Sequence, residues 1–271
     1  MKGEEDEYLH ILLEKGQKMI NLQDKVALIT GSSRGIGRGC AIEMAKCGAD
    51  IVINYRTHPD EGEEVAEAVR QLGRSAITVG ADIADREAVE AMMEKAIDQF
   101  GKIDILVNNA AMSIRKPFLE IPVADVARTI DVCMWGVFHC SQVAAQRMVE
   151  RGEGGKILII SSVHAFIPFA QSVAYNTAKA GINHMGYTMA TELTQHRINV
   201  NIIEPGWTDT PGERKFATEE ELQEGGKQLP WGRLGTIEDI GKAAAFLCSD
   251  AADYITGACL RVDGGFWLPR S

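Results

Sequence analysis

The chain has 271 residues and a formal net charge of −10, with 45% hydrophobic and 24% charged residues. That length suffices for one domain with a large core, and the acidic balance argues against a nucleic-acid partner. The six cysteines, at 40, 47, 133, 140, 248 and 259, form no C-x-x-C pair and no metal spacing with histidine, so no metal is expected and the thiols are read as reduced, in a cytoplasmic protein. No apolar run has membrane-spanning length and no secretory signal is visible.

Residues 1–23 stand apart from the rest. Leu9, Leu12, Leu13, Met19 and Ile20 make an apolar stripe among Glu and Lys, which predicts an N-terminal helical extension, either a surface helix or one packed on a second subunit. From residue 24 to 271, apolar runs at 26–30, 51–54, 76–79, 105–108, 157–161, 199–203 and 259–262 alternate with helical patterns at 36–47, 61–72, 86–100, 123–149, 174–194 and 237–247. This alternation predicts a single α/β domain on a doubly wound parallel sheet of about seven strands. Thr236 and Asp239 predict a capping box at the last helix.

The first run leads into Gly31-Ser32-Ser33-Arg34-Gly35-Ile36-Gly37 and then a helix. Strand, glycine turn and helix form the context of a dinucleotide-phosphate site. Gly31 permits the turn, Gly35 admits a pyrophosphate to the backbone, and Gly37 lets helix and strand pack closely, while the helix N-terminus offers amides and a positive dipole. The second run ends in Tyr55-Arg56, where a fold that prefers NAD usually carries an acid for the ribose 2′-hydroxyl. Arg56, with Arg34, suits a 2′-phosphate, so NADP(H) is the expected cofactor and NAD(H) the alternative; solvated surface is the other reading of both arginines.

Ser162 follows the fifth run and so lies at a strand's C-terminal end, where open α/β sheets place their sites. Tyr175 and Lys179, four residues apart, project from one face of a helix. A lysine ammonium beside a phenol favours the phenolate; bringing a tyrosine from about 10 to neutrality takes roughly 4 kcal/mol. The trio predicts a serine that holds a substrate oxygen and a tyrosine that exchanges its proton. His164 and Trp207, with Phe166, Phe169, Phe216 and Trp231, are candidate pocket walls, and such aromatic faces suit sugar rings and apolar ketones alike. Residues 207–232 read as a substrate lid, its acids Glu219, Glu220 and Glu221 on a solvated face.

Taken together, Thr30-Gly31-x-x-x-Gly35-Ile36-Gly37, Asp82-Ile83, Asn108-Asn109-Ala110, Ser162, Tyr175-x-x-x-Lys179, Pro205-Gly206 and Asp263-Gly264-Gly265 resemble the short-chain dehydrogenase/reductases, from Asp24 to about Trp267. Within that family the chain looks most like 3-oxoacyl carrier-protein reductases and glucose 1-dehydrogenases. The resemblance implies a Rossmann-like fold, catalysis by Ser162, Tyr175 and Lys179, and a homodimer or homotetramer. It implies that Asp82 and Ile83 flank the adenine, that Asn109 and Ala110 lie beside the cofactor, and that Lys179 also binds the nicotinamide ribose. It further implies that Pro205, Gly206, Thr208 and Thr210 hold the nicotinamide amide. The expected activity is NADP(H)-dependent hydride transfer to or from a carbonyl or secondary alcohol of a sugar, polyol or small ketone. A 3-oxoacyl carrier-protein reductase is the alternative, and a non-catalytic NADP(H)-binding sensor or scaffold is the alternative of another class. Three positions depart from the family pattern: Ala111 replaces a glycine, Cys133 replaces an asparagine that helps hold a water-linked proton path to the lysine, and Thr208 stands where an aliphatic residue is common.

Overall fold

The computed structural model describes residues 20–268, so the apolar stripe through residue 19 lies outside the described residues. Seven strands form one parallel sheet in the order β3-β2-β1-β4-β5-β6-β7. They are β1 (Val26–Ile29), β2 (Asp50–Tyr55), β3 (Ala76–Gly80), β4 (Ile105–Asn108), β5 (Gly155–Ile160), β6 (Ile198–Pro205) and β7 (Cys259–Val262). The anticipated runs fall within these strands to within a residue or two.

Successive side chains of a strand point to opposite faces, and here both faces are apolar. Leu28, Val52, Leu106, Ile157, Ile159 and Ile202 pack with helices α3 (Arg86–Phe100), α5 (Gly136–Arg151) and α6 (Val173–Leu193). Their neighbours Ala27, Ile29, Ile51, Ile53, Ile105, Val107, Leu158 and Ile160 pack with α1 (Gly35–Lys46), α2 (Pro59–Gln71) and α8 (Ile237–Leu247). Each large side chain so buried stabilises the fold by about 1.5–3 kcal/mol. The chain runs outward from β1 to β3, then returns to place β4 on the other side of β1. The loops after β1 and β4 therefore diverge around a crevice at the C-terminal edge of the sheet, the position where ligands enter such folds.

The long helical pattern at 123–149 is divided. Helix α4 (Val123–Ile130) passes into a π-helical turn, Asp131–Trp135, before α5 begins. Hydrophobic spacing does not reveal such a bulge, because the apolar face continues through it. Between β6 and α8, the expected lid contains a further helix, α7 (Glu219–Lys227), with Thr218 and Glu221 forming its capping box and Leu222 and Gly226 turned inward. The predicted capping box of Thr236 and Asp239 starts α8.

Candidate active site

The glycine turn is clamped from both neighbouring strands. Gly31 has φ 61° and donates its N–H to Asn54 Oδ1 at 3.0 Å. From the loop after β4, Asn109 Nδ2 donates to the carbonyls of Thr30 (2.9 Å) and Gly31 (3.0 Å), while Thr30 Oγ1 accepts from the N–H groups of Asn109 and Ala110. A β-carbon on Gly37 would lie 2.5 Å from Asn109 Nδ2 and 2.6 Å from the Gly31 carbonyl oxygen, so only glycine allows this approach. On Gly35, by contrast, a β-carbon would meet nothing nearer than Thr210 Cβ at 3.7 Å. Arg34 precedes α1 in an extended conformation without capping it, and the first turn holds no acid. Uncapped amides beneath an open glycine cradle fit an anionic pyrophosphate. Ser33 is buried below the cradle, and Ile36 packs toward the core.

Beyond the cradle, Arg34 Nη1 lies 3.2 Å from His58 Nε2 and 3.7 Å from Glu61, and Arg56 Nη1 lies 3.9 Å from Asp82. Both guanidiniums thus stand at the end of β2 with loose partners. The Tyr55 ring packs between Gly62 and Gly80, where an added β-carbon would be 3.2 Å away. Asp82 accepts from the Ala84 N–H and pairs with Arg128. Burial pushes its carboxyl up, but that hydrogen bond, Arg128 and Arg56 outweigh burial and hold it below the usual carboxylate range. Ile83 turns its side chain into the core against Gly136, leaving only its backbone to meet a ligand. Across the crevice, the Gly206 N–H donates to Val262, Thr208 is buried with its hydroxyl on the Gly206 carbonyl, and Thr210 overhangs Gly35.

Ser162, Tyr175 and Lys179 come together beside this crevice. Ser162 follows β5 and accepts the His164 N–H on Oγ at 3.2 Å. One turn apart on α6, Lys179 Nζ lies 5.3 Å from the Tyr175 ring centroid and donates to the Ile160 carbonyl at 2.7 Å. Burial pushes the Tyr175 hydroxyl well above its ordinary value and the Cys133 thiol adds to that; a hydrogen bond with Ser162 opposes it. Burial likewise pulls the Lys179 ammonium below its usual value. The reason is dehydration: both charged forms lose water, and the ammonium's hydrogen bond goes to a backbone carbonyl rather than to the phenol. The arrangement can present a protonated phenol and a serine hydroxyl to one substrate oxygen, with the lysine beneath them.

His164 forms the adjoining wall. Its Nδ1 lies 2.7 Å from Asn176 Oδ1, and Asn176 Nδ2 donates to the Phe169 carbonyl. With the amide nitrogen engaged, the amide oxygen accepts, which assigns the proton to Nδ1 and leaves the Nε2 lone pair as an acceptor. The ring stacks on Phe169 (4.1 Å between centroids) and meets Tyr175 edge-on. Burial holds the imidazole below its ordinary value; the Asn176 hydrogen bond opposes this, and Arg115 and Lys179 reinforce it. The Trp207 ring packs against Gly225 in the lid helix, Phe166 joins Arg261 and Trp267, and Trp231 is 71% exposed. Phe216 does reach the site, beneath Arg115.

The departures are accommodated. Ala111 does not have a positive φ and is exposed, so its methyl group is tolerated. Cys133 lies in the π turn with its Sγ bonded to Met112. Sequence reasoning did not single out Asn54, His58 or Asn176. For Asn54 a signal existed: a polar residue inside the buried run Asp50–Tyr55 needs partners, and its amide bonds Gly31, Val79 and Ala81. Among the described residues no group of His, Cys, Asp or Glu is placed to hold a metal ion, and no helix is long and apolar enough to cross a membrane.

A parallel doubly wound sheet, an uncapped glycine cradle at its switch point and a Ser-Tyr-Lys cluster beside it define a nucleotide-dependent oxidoreductase. The chain belongs to the short-chain dehydrogenase/reductase family, and the family model described as Enoyl-(Acyl carrier protein) reductase matches residues 31–267. It is 38% identical over 248 residues to the L-rhamnose 1-dehydrogenase (NAD(P)(+)) of a Sphingomonas species, covering 91% of this chain and 98% of that one. It is 36% identical to glucose 1-dehydrogenase 2 of Bacillus subtilis, covering 92% and 96%. Among solved structures it is similar to a gluconate 5-dehydrogenase from Burkholderia cenocepacia in complex with NADP and tartrate, with a TM-score of 0.86, 32% identity, and 93% and 98% of the chains covered. The protein is therefore an NAD(P)-dependent short-chain dehydrogenase/reductase acting on alcohol and carbonyl groups.

Proposed function

We propose that this enzyme interconverts a secondary alcohol and a carbonyl on a sugar, polyol or small ketone, with NADP(H) as the preferred dinucleotide and Ser162, Tyr175 and Lys179 as catalytic residues. The observation that carries the site assignment is the meeting of Ser162 and Tyr175 over the buried Lys179 at the edge of the glycine cradle. When bound, the nicotinamide dinucleotide would supply or take up the hydride, so that in oxidation the C–H electron pair would go to the cofactor while the O–H proton would go to the ionised form of Tyr175. Ser162 holds the reacting oxygen by a hydrogen bond. Tyr175 gives or takes its proton. Lys179 keeps positive charge beneath the phenol and lies within the crevice for a ribose.

Arg34 and Arg56, together at the end of β2 with partners at 3.2–3.9 Å, support NADP(H) over NAD(H). The activities of the rhamnose and glucose relatives support a polyhydroxy substrate, as does a His164 whose Nε2 lone pair accepts from a hydroxyl. A 3-oxoacyl carrier-protein substrate has less support, because the lid presents Glu219, Glu220 and Glu221 to solvent and an acidic carrier would meet like charge. Residues 207–232 act as the lid over this substrate, and the free thiols fit a reducing, cytoplasmic setting. Assembly as a homodimer or homotetramer is the companion proposal; sedimentation showing single chains would end it. Turnover of a panel of aldoses, alditols, small ketones and 3-oxoacyl thioesters, each with both dinucleotides, tests the assignment. It predicts the highest kcat/KM for a polyhydroxy compound with NADP(H), and a preference for the thioesters would contradict it.

A further inference from the structure

We infer that Arg115 selects the substrate: it anchors a carboxylate, so that the preferred substrates are hydroxy or oxo acids of the polyol series rather than neutral sugars. This rests on the oxidoreductase reading above and specifies its substrate class.

Four segments converge over Tyr175. Ser162, His164 and Phe169 come from the connection after β5, and Tyr175 and Asn176 from α6. Glu213 and Phe216 come from the lid, and Arg115 from the loop after β4. The neighbouring Lys116 N–H donates to the Gln171 carbonyl at 2.9 Å, which ties the Arg115 loop to the entry of α6. The charges of Arg115 and Glu213 are both felt at the Tyr175 hydroxyl, and that of Arg115 at His164. Arg115 is thus a cation within electrostatic reach of the Ser-Tyr-Lys cluster in an acidic protein.

Its surroundings suit an exchangeable carboxylate. The guanidinium carbon lies 3.8 Å over the Phe216 ring, which orients the plane and covers one face without using an N–H. Its one ion-pair partner among the described residues is Glu213, with Nη2 to Oε2 at 3.6 Å, and within them it makes no hydrogen bond. A planar fork of donors with one loosely seated carboxylate is shaped for a closer, two-point one. Glu213 shows which chemistry the fork accepts, and its place on the lid means that a substrate carboxylate would take its seat. The His164 Nε2 lone pair and the Phe169 face then meet the hydroxyls and carbons of the same molecule. A neutral sugar would leave the arginine on Glu213 and gain nothing from it.

Matched pairs test this: D-gluconate against D-glucitol, which differ by carboxylate for hydroxymethyl at one end, and tartrate against threitol, which differ so at both. Binding is measured by calorimetry on the full-length enzyme saturated with NADP+, and KM and kcat are measured wherever turnover occurs. Wild type should bind the acid of at least one pair about tenfold or more tightly than its neutral partner. Arg115→Gln should remove that preference while moving the affinity of the neutral polyol less than about threefold, Arg115→Lys should restore part of it, and Glu213→Gln should tighten the acid. Equal binding of acid and polyol by wild type, no binding of either acid, or an Arg115→Gln variant that weakens both classes alike would overturn the inference; the last result would make Arg115 a lid latch. Because the readout is a binding ratio, it can fail while turnover of neutral substrates stands, and it can hold even where no turnover is seen.

Discussion

The thiol of Cys133 makes two hydrogen bonds to the backbone of one residue: Sγ donates to the Met112 carbonyl at 3.2 Å and accepts from the Met112 N–H at 3.3 Å. It thereby fastens the π turn to the loop that follows β4, next to Lys179, whose charge it feels. An asparagine side chain offers the same pair of functions, one N–H and one carbonyl oxygen. The departure from the family pattern keeps a donor and an acceptor at the position. Cys133→Asn should therefore retain turnover within about threefold, whereas Cys133→Ala should lower stability by about 1 kcal/mol and reduce kcat. Denaturant unfolding and steady-state kinetics on the two variants check this; an alanine variant equal to wild type in both would contradict it.

In the proposed NADP(H) site, Arg56 meets the 2′-phosphate that distinguishes NADP from NAD. Arg56→Asp should lower kcat/KM for NADP+ by about 10–100-fold through the lost charge-assisted hydrogen bonds, with NAD+ unchanged or improved. The ratio of the two specificity constants is the measurement. A ratio that does not move would leave Arg56 as solvated surface.

Burial raises the Tyr175 phenol, which favours its protonated form at neutral pH. Reduction of a carbonyl uses the protonated form, and its rate should stay level from about pH 6 to 9 and fall only in alkali. Oxidation of an alcohol needs the phenol as proton acceptor, and its kcat/KM should climb with pH by up to about tenfold per unit across the same range. Profiles in both directions on one substrate pair check the sign. An oxidation rate that is level between about pH 7 and 9 would show that the phenol is already ionised there.

Most of the frame was legible because the strands are continuous Val, Ile and Leu runs that a doubly covered parallel sheet requires. The juxtaposition of the proposed catalytic trio was legible because Tyr175 and Lys179 share one helix and Ser162 ends a strand. Their protonation was not, since it depends on dehydration and on which carbonyl Lys179 reaches, neither of which spacing records. The π turn escaped notice because Asp131–Trp135 keeps the helical apolar face. The α7 helix was obscured by Gly225 and Gly226 and by a mostly polar surface, with only Leu222 and Gly226 buried. Arg115 and Glu213 meet across loops from different strands, as do Arg34 and His58, and no local pattern announces such pairs.

The measurement that bears most directly on the account is turnover by Tyr175→Phe, paired with a fluorescence titration of NADPH. The substitution removes one hydroxyl and leaves the ring packed beneath His164. Turnover should fall by about 10²–10⁴-fold, with cofactor affinity within a few fold of wild type. A variant that retains turnover within tenfold of wild type would contradict the proton-transfer role on which the proposed chemistry rests.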